Sequence, residues 1–145
     1  MATATIAPGQ IQIDFFNKAL GRTFQWGEED CSMFLANWWR HVHAVDPARW
    51  LRGTYRDAIE ADIVVMANRG LQRLVARIAS EAGAVRTRAP TFGDFGLVVV
   101  GGKPFGAVSC CPMVPSNSWV IRTESGLVMV HKPRMLRTWS INFPN

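Results

Sequence analysis

Apolar residues recur along this chain with two different periods, and the change from one to the other divides it. Ile11, Ile13, Phe15, Phe16 and Leu20 form a short helix or extended lead-in that ends near Gly21. Cys31, Phe34, Leu35, Trp38 and Val42 follow at helical spacing and predict a helix to about His43 with one buried face. Asp46-Pro47 breaks that helix, and Arg52-Gly53-Thr54-Tyr55 reads as a loop entering another at about Asp57. Ile59, Ile63, Val64 and Met66 carry this helix to about Asn68, Gly70 stops it, and Leu71 to Ala82 form the next. Beyond a loop at 83–91 the period shortens. Leu97 to Val100, Gly106 to Cys110, Trp119 to Thr123, Leu127 to Val130 and Thr138 to Ile141 are β-prone runs. Gly101-Gly102, residues 112–117, Ser125-Gly126 and Lys132-Pro133 separate them. Helices first and strands second predict an α+β domain with a small antiparallel sheet. The expected layout is one domain over 1–145, with a flexible arm at 1–10, a mainly helical part at 11–82 and strands at 93–141.

Composition narrows this picture. A chain of 145 residues, 48% hydrophobic, is large enough for one self-sufficient core. No run approaches the ~20 apolar residues of a membrane span, and the first residues lack a basic-then-apolar leader, so the expectation is no membrane span and folding in the cytoplasm. Cys31, Cys110 and Cys111 make an odd count, which argues against a disulfide framework. Together with His41, His43 and His131 they show no metal-ligand spacing, and nothing implies a cofactor. The net charge of +5 suits polyanionic partners, but no nucleic-acid motif is present, so a basic nucleic-acid-binding module is the weakest reading. Arg69, Arg73 and Arg77 read as one stripe, either anion-facing or simply solvated. Adjacent Trp38 and Trp39 cannot both point inward from one helix, so one of them is expected to meet another element or a partner chain.

The chemistry centres on Phe24-Gln25-Trp26-Gly27-Glu28-Glu29-Asp30-Cys31-Ser32. This turn delivers Cys31 to the first turn of an apolar helix, with Asp30 or Glu29 as N-cap. Unpaired amides and the positive end of the helix dipole would favour a thiolate there, whereas a buried cysteine acting as a small hydrophobe is the plainer reading. The segment resembles the nucleophile segment of the NlpC-type cell-wall peptidases, small papain-like enzymes. Gly93-Asp94, leading into Phe95 to Val100, looks like that family's turn into its first strand. Asp46-Pro47 and Arg52-Gly53-Thr54-Tyr55 bring the chain closest to the compact variants carried in phage tail gene clusters. The resemblance spans roughly 24–141. It implies a papain-like fold with helices packed on the sheet, Cys31 as candidate nucleophile, a helix-start amide as oxyanion donor, and a place for Tyr55 near the cleft. An equally good reading makes Tyr55 a loop anchor.

A thiol nucleophile also needs a base within reach. The family carries a histidine at the start of its second strand, in a His-Val-Gly-Ile type of motif. Here the stretch is Lys103-Pro104-Phe105-Gly106-Ala107-Val108, with Pro104 or Phe105 at that position according to alignment. His131 is the one histidine in the sheet half and the candidate replacement base, although no role carries over to it from the family. His41 and His43 lie too far along the helix of Cys31 to serve. The resemblance therefore implies a phage tail-tip or distal-tail component, a degenerate peptidoglycan hydrolase in the virion, assembled in host cytoplasm among other tail proteins. The alternative is an active Cys-dependent endopeptidase acting on host peptidoglycan, for which coordinates around the Cys31 sulfur are the decisive test.

Overall fold

A computed structural model describes residues 6–110 and 117–144. The first five residues of the expected arm, Cys111 and most of the 112–117 turn lie outside the described residues. The architecture is α+β, four helices followed by a five-stranded antiparallel sheet. The helices are α1 Pro8–Leu20, α2 Met33–His43, α3 Ala58–Ala67 and α4 Leu71–Ala82, and the strands are β1 Phe95–Val100, β2 Lys103–Ser109, β3 Ser118–Thr123, β4 Gly126–His131 and β5 Arg134–Trp139.

Local signals account for most of these limits. Pro8 occupies the first turn of α1, where its missing N–H costs nothing, so the helix begins inside the stretch expected to be an arm. Asp57 caps α3 by accepting from the Glu60 amide. Gly83, in the left-handed region, closes α4. The last strand was expected at Thr138 to Ile141 but starts directly after Lys132-Pro133 and ends at Trp139. Beyond it the chain leaves the ladder, since the Ser140 amide donates to Val85 O and the Ile141 amide to an Asp94 carboxyl oxygen.

The sheet runs in the order β4-β3-β2-β1-β5. Lys132 and Pro133 alone join β4 to β5, although these are its two edges. That link spans at most ~11 Å, while four flat strand spacings would measure ~19 Å. The sheet must therefore curl until its edges approach. One face carries Phe95, Leu97, Val108 and Val120 against the helices. On the other, Val98, Ala107, Trp119 and Ile121 are buried with Val130 and Met135, which come from opposite edges, as a curled sheet requires.

α2 is the centre of the helical layer, buried from Met33 through Trp39. Both tryptophans are inside, so neither is available to a partner chain. Trp38 donates from Nε1 to Gly93 O at 2.8 Å and packs on Phe15, while Trp39 packs on Phe95 and His43. A helix enclosed by α1 on one side and β1 on another has more than one inward face, which is what the sequence argument left out. His41 and His43 are anchors as well, bonded through Nε2 to Ile11 O and Ile141 O. The arginine stripe is not continuous: Arg69 lies in the α3–α4 turn at φ 63°, and Arg77 sits 3.8 Å above the Trp50 ring. On α3, Ile59, Ile63 and Met66 are 60–75% exposed, and only Ala61, Val64 and Val65 pack partly inward.

Candidate functional site

Cys31 lies just ahead of α2, within its first turn of hydrogen bonding, because the Phe34 amide already donates to Asp30 O. Asp30 is the true cap of this turn. Its Oδ1 accepts from the Ser32 and Met33 amides at 3.0 and 2.9 Å, and its Oδ2 accepts from the Gly27 amide and from Tyr55 Oη at 2.5 Å. Tyr55 is thus a buried loop anchor. Its hydroxyl is held well above the ordinary tyrosine range by burial and by the adjacent Asp30 charge.

The remaining motif residues close around the same turn. The Arg52 guanidinium donates to both Asp46 carboxyl oxygens, at 2.7 and 3.1 Å, and reaches Asn37 Oδ1 on α2 and Glu28 in the turn. Burial, the largest influence, would raise the Asp46 pKa, but the Arg52 hydrogen bonds, the Ala48 amide and the charges of Arg52 and Arg40 together outweigh it and leave the carboxyl below its ordinary value. The Gly53 amide donates to Gly27 O. Gly27 is required because a Cβ there would collide with Tyr55 O. Asp94 does the equivalent work at the sheet: its carboxyl accepts from the Thr91 and Ile141 amides, its own carbonyl accepts from Ser109 N, and the neighbouring Gly93 O receives Trp38.

The side of Cys31 facing the sheet is different. Cys31 O and the Leu35 side chain press directly onto Gly106 of β2, leaving no room for a Cβ. The register pairs Leu97 with Gly106, Val98 with Phe105 and Val99 with Pro104. Phe105 packs with the far-side cluster of Val98, so strand alternation puts Pro104 on the face of Gly106 and Cys31. Neither Pro104 nor Gly106 has a side chain that can accept a proton. Cys31 is half-buried as a residue, and the one described side-chain partner of its thiol is Ser32 Oγ at 4.0 Å. Desolvation, followed by the Asp30 charge, pushes its pKa up to about 11. This runs against the thiolate that the helix dipole would favour, first because the site is desolvated and then because the cap that satisfies the helix start is itself an anion. The Ser32 and Met33 amides, candidates for an oxyanion donor, are already committed to Asp30.

His131 ends the edge strand β4, where it shares a 2.7 Å hydrogen bond between Nδ1 and Ser118 Oγ. Extending the β2–β3 register by one residue puts Gly106 level with Arg122, four residues along the strand from Ser118 and its partner His131. That offset is ~13 Å along the strands and ~10 Å across them. His131 and Cys31 are not brought together. Among the described residues no group of three or more His, Cys, Asp or Glu is placed to hold a metal ion, and no helix is long and apolar enough to cross a membrane.

A second constellation was missed in the sequence. Arg122 on β3 is buried and donates to Ala19 O and Arg22 O, satisfying the C-terminal end of α1. It lies 3.8 Å from buried Glu29, whose pKa burial raises despite the charges of Arg122 and Arg22. An arginine within the apolar run Trp119-Val120-Ile121 hints at a buried pair, but its partners are some hundred residues away.

The chain belongs to the family described as a domain of unknown function (DUF6950), whose profile matches residues 12–141. Neither the curated proteins nor the solved structures contain a match to it.

Proposed function

We propose that this protein is a phage tail-tip or distal-tail component with an NlpC-like papain-type fold that has kept the framework of a cysteine peptidase and lost its chemistry. The observation that carries the reading is Pro104 on the Cys31-facing side of β2, where the resembling enzymes carry their histidine. A thiol raised to about 11 with no base beside it is almost wholly protonated at neutral pH and is a poor nucleophile. The assembly setting rests on the likeness to tail-cluster variants. It is supported by α3, where Ile59, Ile63 and Met66 form an exposed stripe of the kind usually covered by another chain. Such a protein works in the virion, put together in host cytoplasm with its tail neighbours and touching peptidoglycan, if at all, without cutting it.

Two measurements test this. Purified protein incubated with purified peptidoglycan should release no stem peptides; release that disappears in Cys31→Ala would restore the active endopeptidase, whatever group proved to be its base. Antibody against the protein should detect it in purified virions, and its absence from them would remove the tail assignment.

A further inference from the structure

A cavity of about 1050 Å³ opens between the C-terminal half of α1, the 21–29 turn and α2, and Cys31 does not line it. Lys18, Arg22, Arg40 and Arg52 contribute formal positive charge to its wall, against Glu28 and Glu29. The two carboxylates are answered from within the protein. Glu28 pairs with Arg52 at 3.3 Å, and Glu29 sits between Arg122 at 3.8 Å and Arg22 at 3.6 Å. The negative end of α1, which would repel an anion, is covered by the Arg122 bonds to Ala19 O and Arg22 O. Lys18 and Arg40 are exposed and have no ion-pair or hydrogen-bond partner among the described residues. Arg22 is 55% exposed and only loosely tied to Glu29. The excess positive charge is felt across the cavity, since His41 on its wall is held below its ordinary pKa by burial and then by the charge of Lys18.

We infer that this cavity is a binding site for a small ligand carrying two or more oxyanion charges, phosphoryl or carboxylate, held by Lys18, Arg22 and Arg40. Its volume suits a ligand of metabolite size rather than a single ion. Two cations from α1 and its following turn and one from α2 can converge on such a group, and each charge-assisted hydrogen bond they form replaces exposure to water. The inference is independent of whether Cys31 is reactive.

The test uses the full chain, titrated calorimetrically at fixed ionic strength with pyrophosphate and, separately, with citrate. Saturable one-to-one binding of either probe is expected, and the tighter of the two identifies the phosphoryl or carboxylate source. Lys18→Gln and Arg40→Gln should each weaken binding about tenfold with little change in Tm, since neither side chain has a hydrogen bond or close ion pair to lose and Arg40 gives up only a longer-range attraction to Asp46. Arg73→Gln and Lys103→Gln, which remove charge elsewhere, should leave it unchanged. If neither probe binds saturably, or the distant substitutions weaken binding as much as the cavity ones, the positive charge acts only diffusely and the site does not exist.

Discussion

On the helical side of Cys31, Asp30 accepts from three amides and a tyrosine hydroxyl, and Arg52 ties together Asp46, Asn37 and Glu28. On the sheet side the same cysteine meets Gly106, with Pro104 next along that face of the strand. Motif residues are present on both sides, and Asp94 braces the entry to β1, but the face of β2 that Cys31 meets offers only Gly106 and Pro104. The difference teaches that residues which brace a turn and residues which would act on a thiol can be separated in one site. Trp-Gly-x-x-Asp-Cys, Asp-Pro and Arg-Gly-x-Tyr build and brace the turn that starts α2, and that bracing survives whether or not a base faces the thiol. In this chain those residues therefore report on the local fold, and under the proposed reading any activity would turn on one position of β2 that they do not include.

Breaking the braced side should have the largest effect. Asp30→Ala leaves the Gly27, Ser32 and Met33 amides and Tyr55 Oη without their acceptor in a buried place and removes the cap of the central helix. A loss of about 4 kcal/mol is expected in denaturant titration, and a loss under about 1 kcal/mol would mean that other groups cap α2. Arg52→Ala should cost about 3 kcal/mol, because it strands the partly buried Asp46 carboxylate. Its pH dependence has a definite sign. Asp46 has a depressed pKa in the folded state, so the stability it contributes is present above the unfolded value and lost as pH falls through the folded one. In Arg52→Ala that part of the acid sensitivity should disappear, which a comparison of urea midpoints at neutral and acidic pH would measure. Gly106→Ala sharpens the sheet side: a methyl group forced against Cys31 O and Leu35 should cost about 2 kcal/mol. An unchanged midpoint would show that α2 can shift away from β2 freely.

Much of the helical layer was legible because its signals are local. Gly21, Asp57, Gly70 and Leu71 to Ala82 fall where caps and periodicity put them, and Asp30 was one of two cap candidates. The failures share a cause in long-range geometry. Strand alternation against Phe105 and its cluster, invisible before the register is known, is what selects Pro104 over Phe105. The curl that brings β4 to β5 shifts the last strand toward Lys132-Pro133, whereas β-propensity alone favoured Ile141, which instead bonds to Asp94. Ile59, Ile63 and Met66 correctly announce a helix, yet face outward, because periodicity reports a face and not what covers it. For Cys31 the sequence leaves a dipole-favoured thiolate and a buried small hydrophobe both open; burial, which only the fold reveals, and then the Asp30 anion next in sequence push the thiol pKa up.

The smallest expected effect on stability, and the sharpest on chemistry, belongs to Cys31 itself. Its side chain has a single distant partner, so Cys31→Ala should change stability by less than about 1 kcal/mol. Its alkylation rate, followed for this residue by peptide mass mapping so that Cys110 and Cys111 do not interfere, should rise with pH toward a midpoint near 11. The folded state holds the proton more tightly than the unfolded chain does. The stabilisation linked to the thiol proton is therefore complete below the ordinary thiol pKa and fades as pH rises through about 11. Pro104→His then probes the comparison directly, because it restores a titratable group to the face of β2 that Cys31 meets. If the missing base is the only defect on the sheet side, the alkylation midpoint should fall by at least a unit in Pro104→His and stay near 11 in Phe105→His, whose ring would join the opposite face. Equal midpoints in the two variants would mean that the strand does not stand where an imidazole can reach the thiol, and would count against the reading that one side chain separates this site from a working cysteine peptidase.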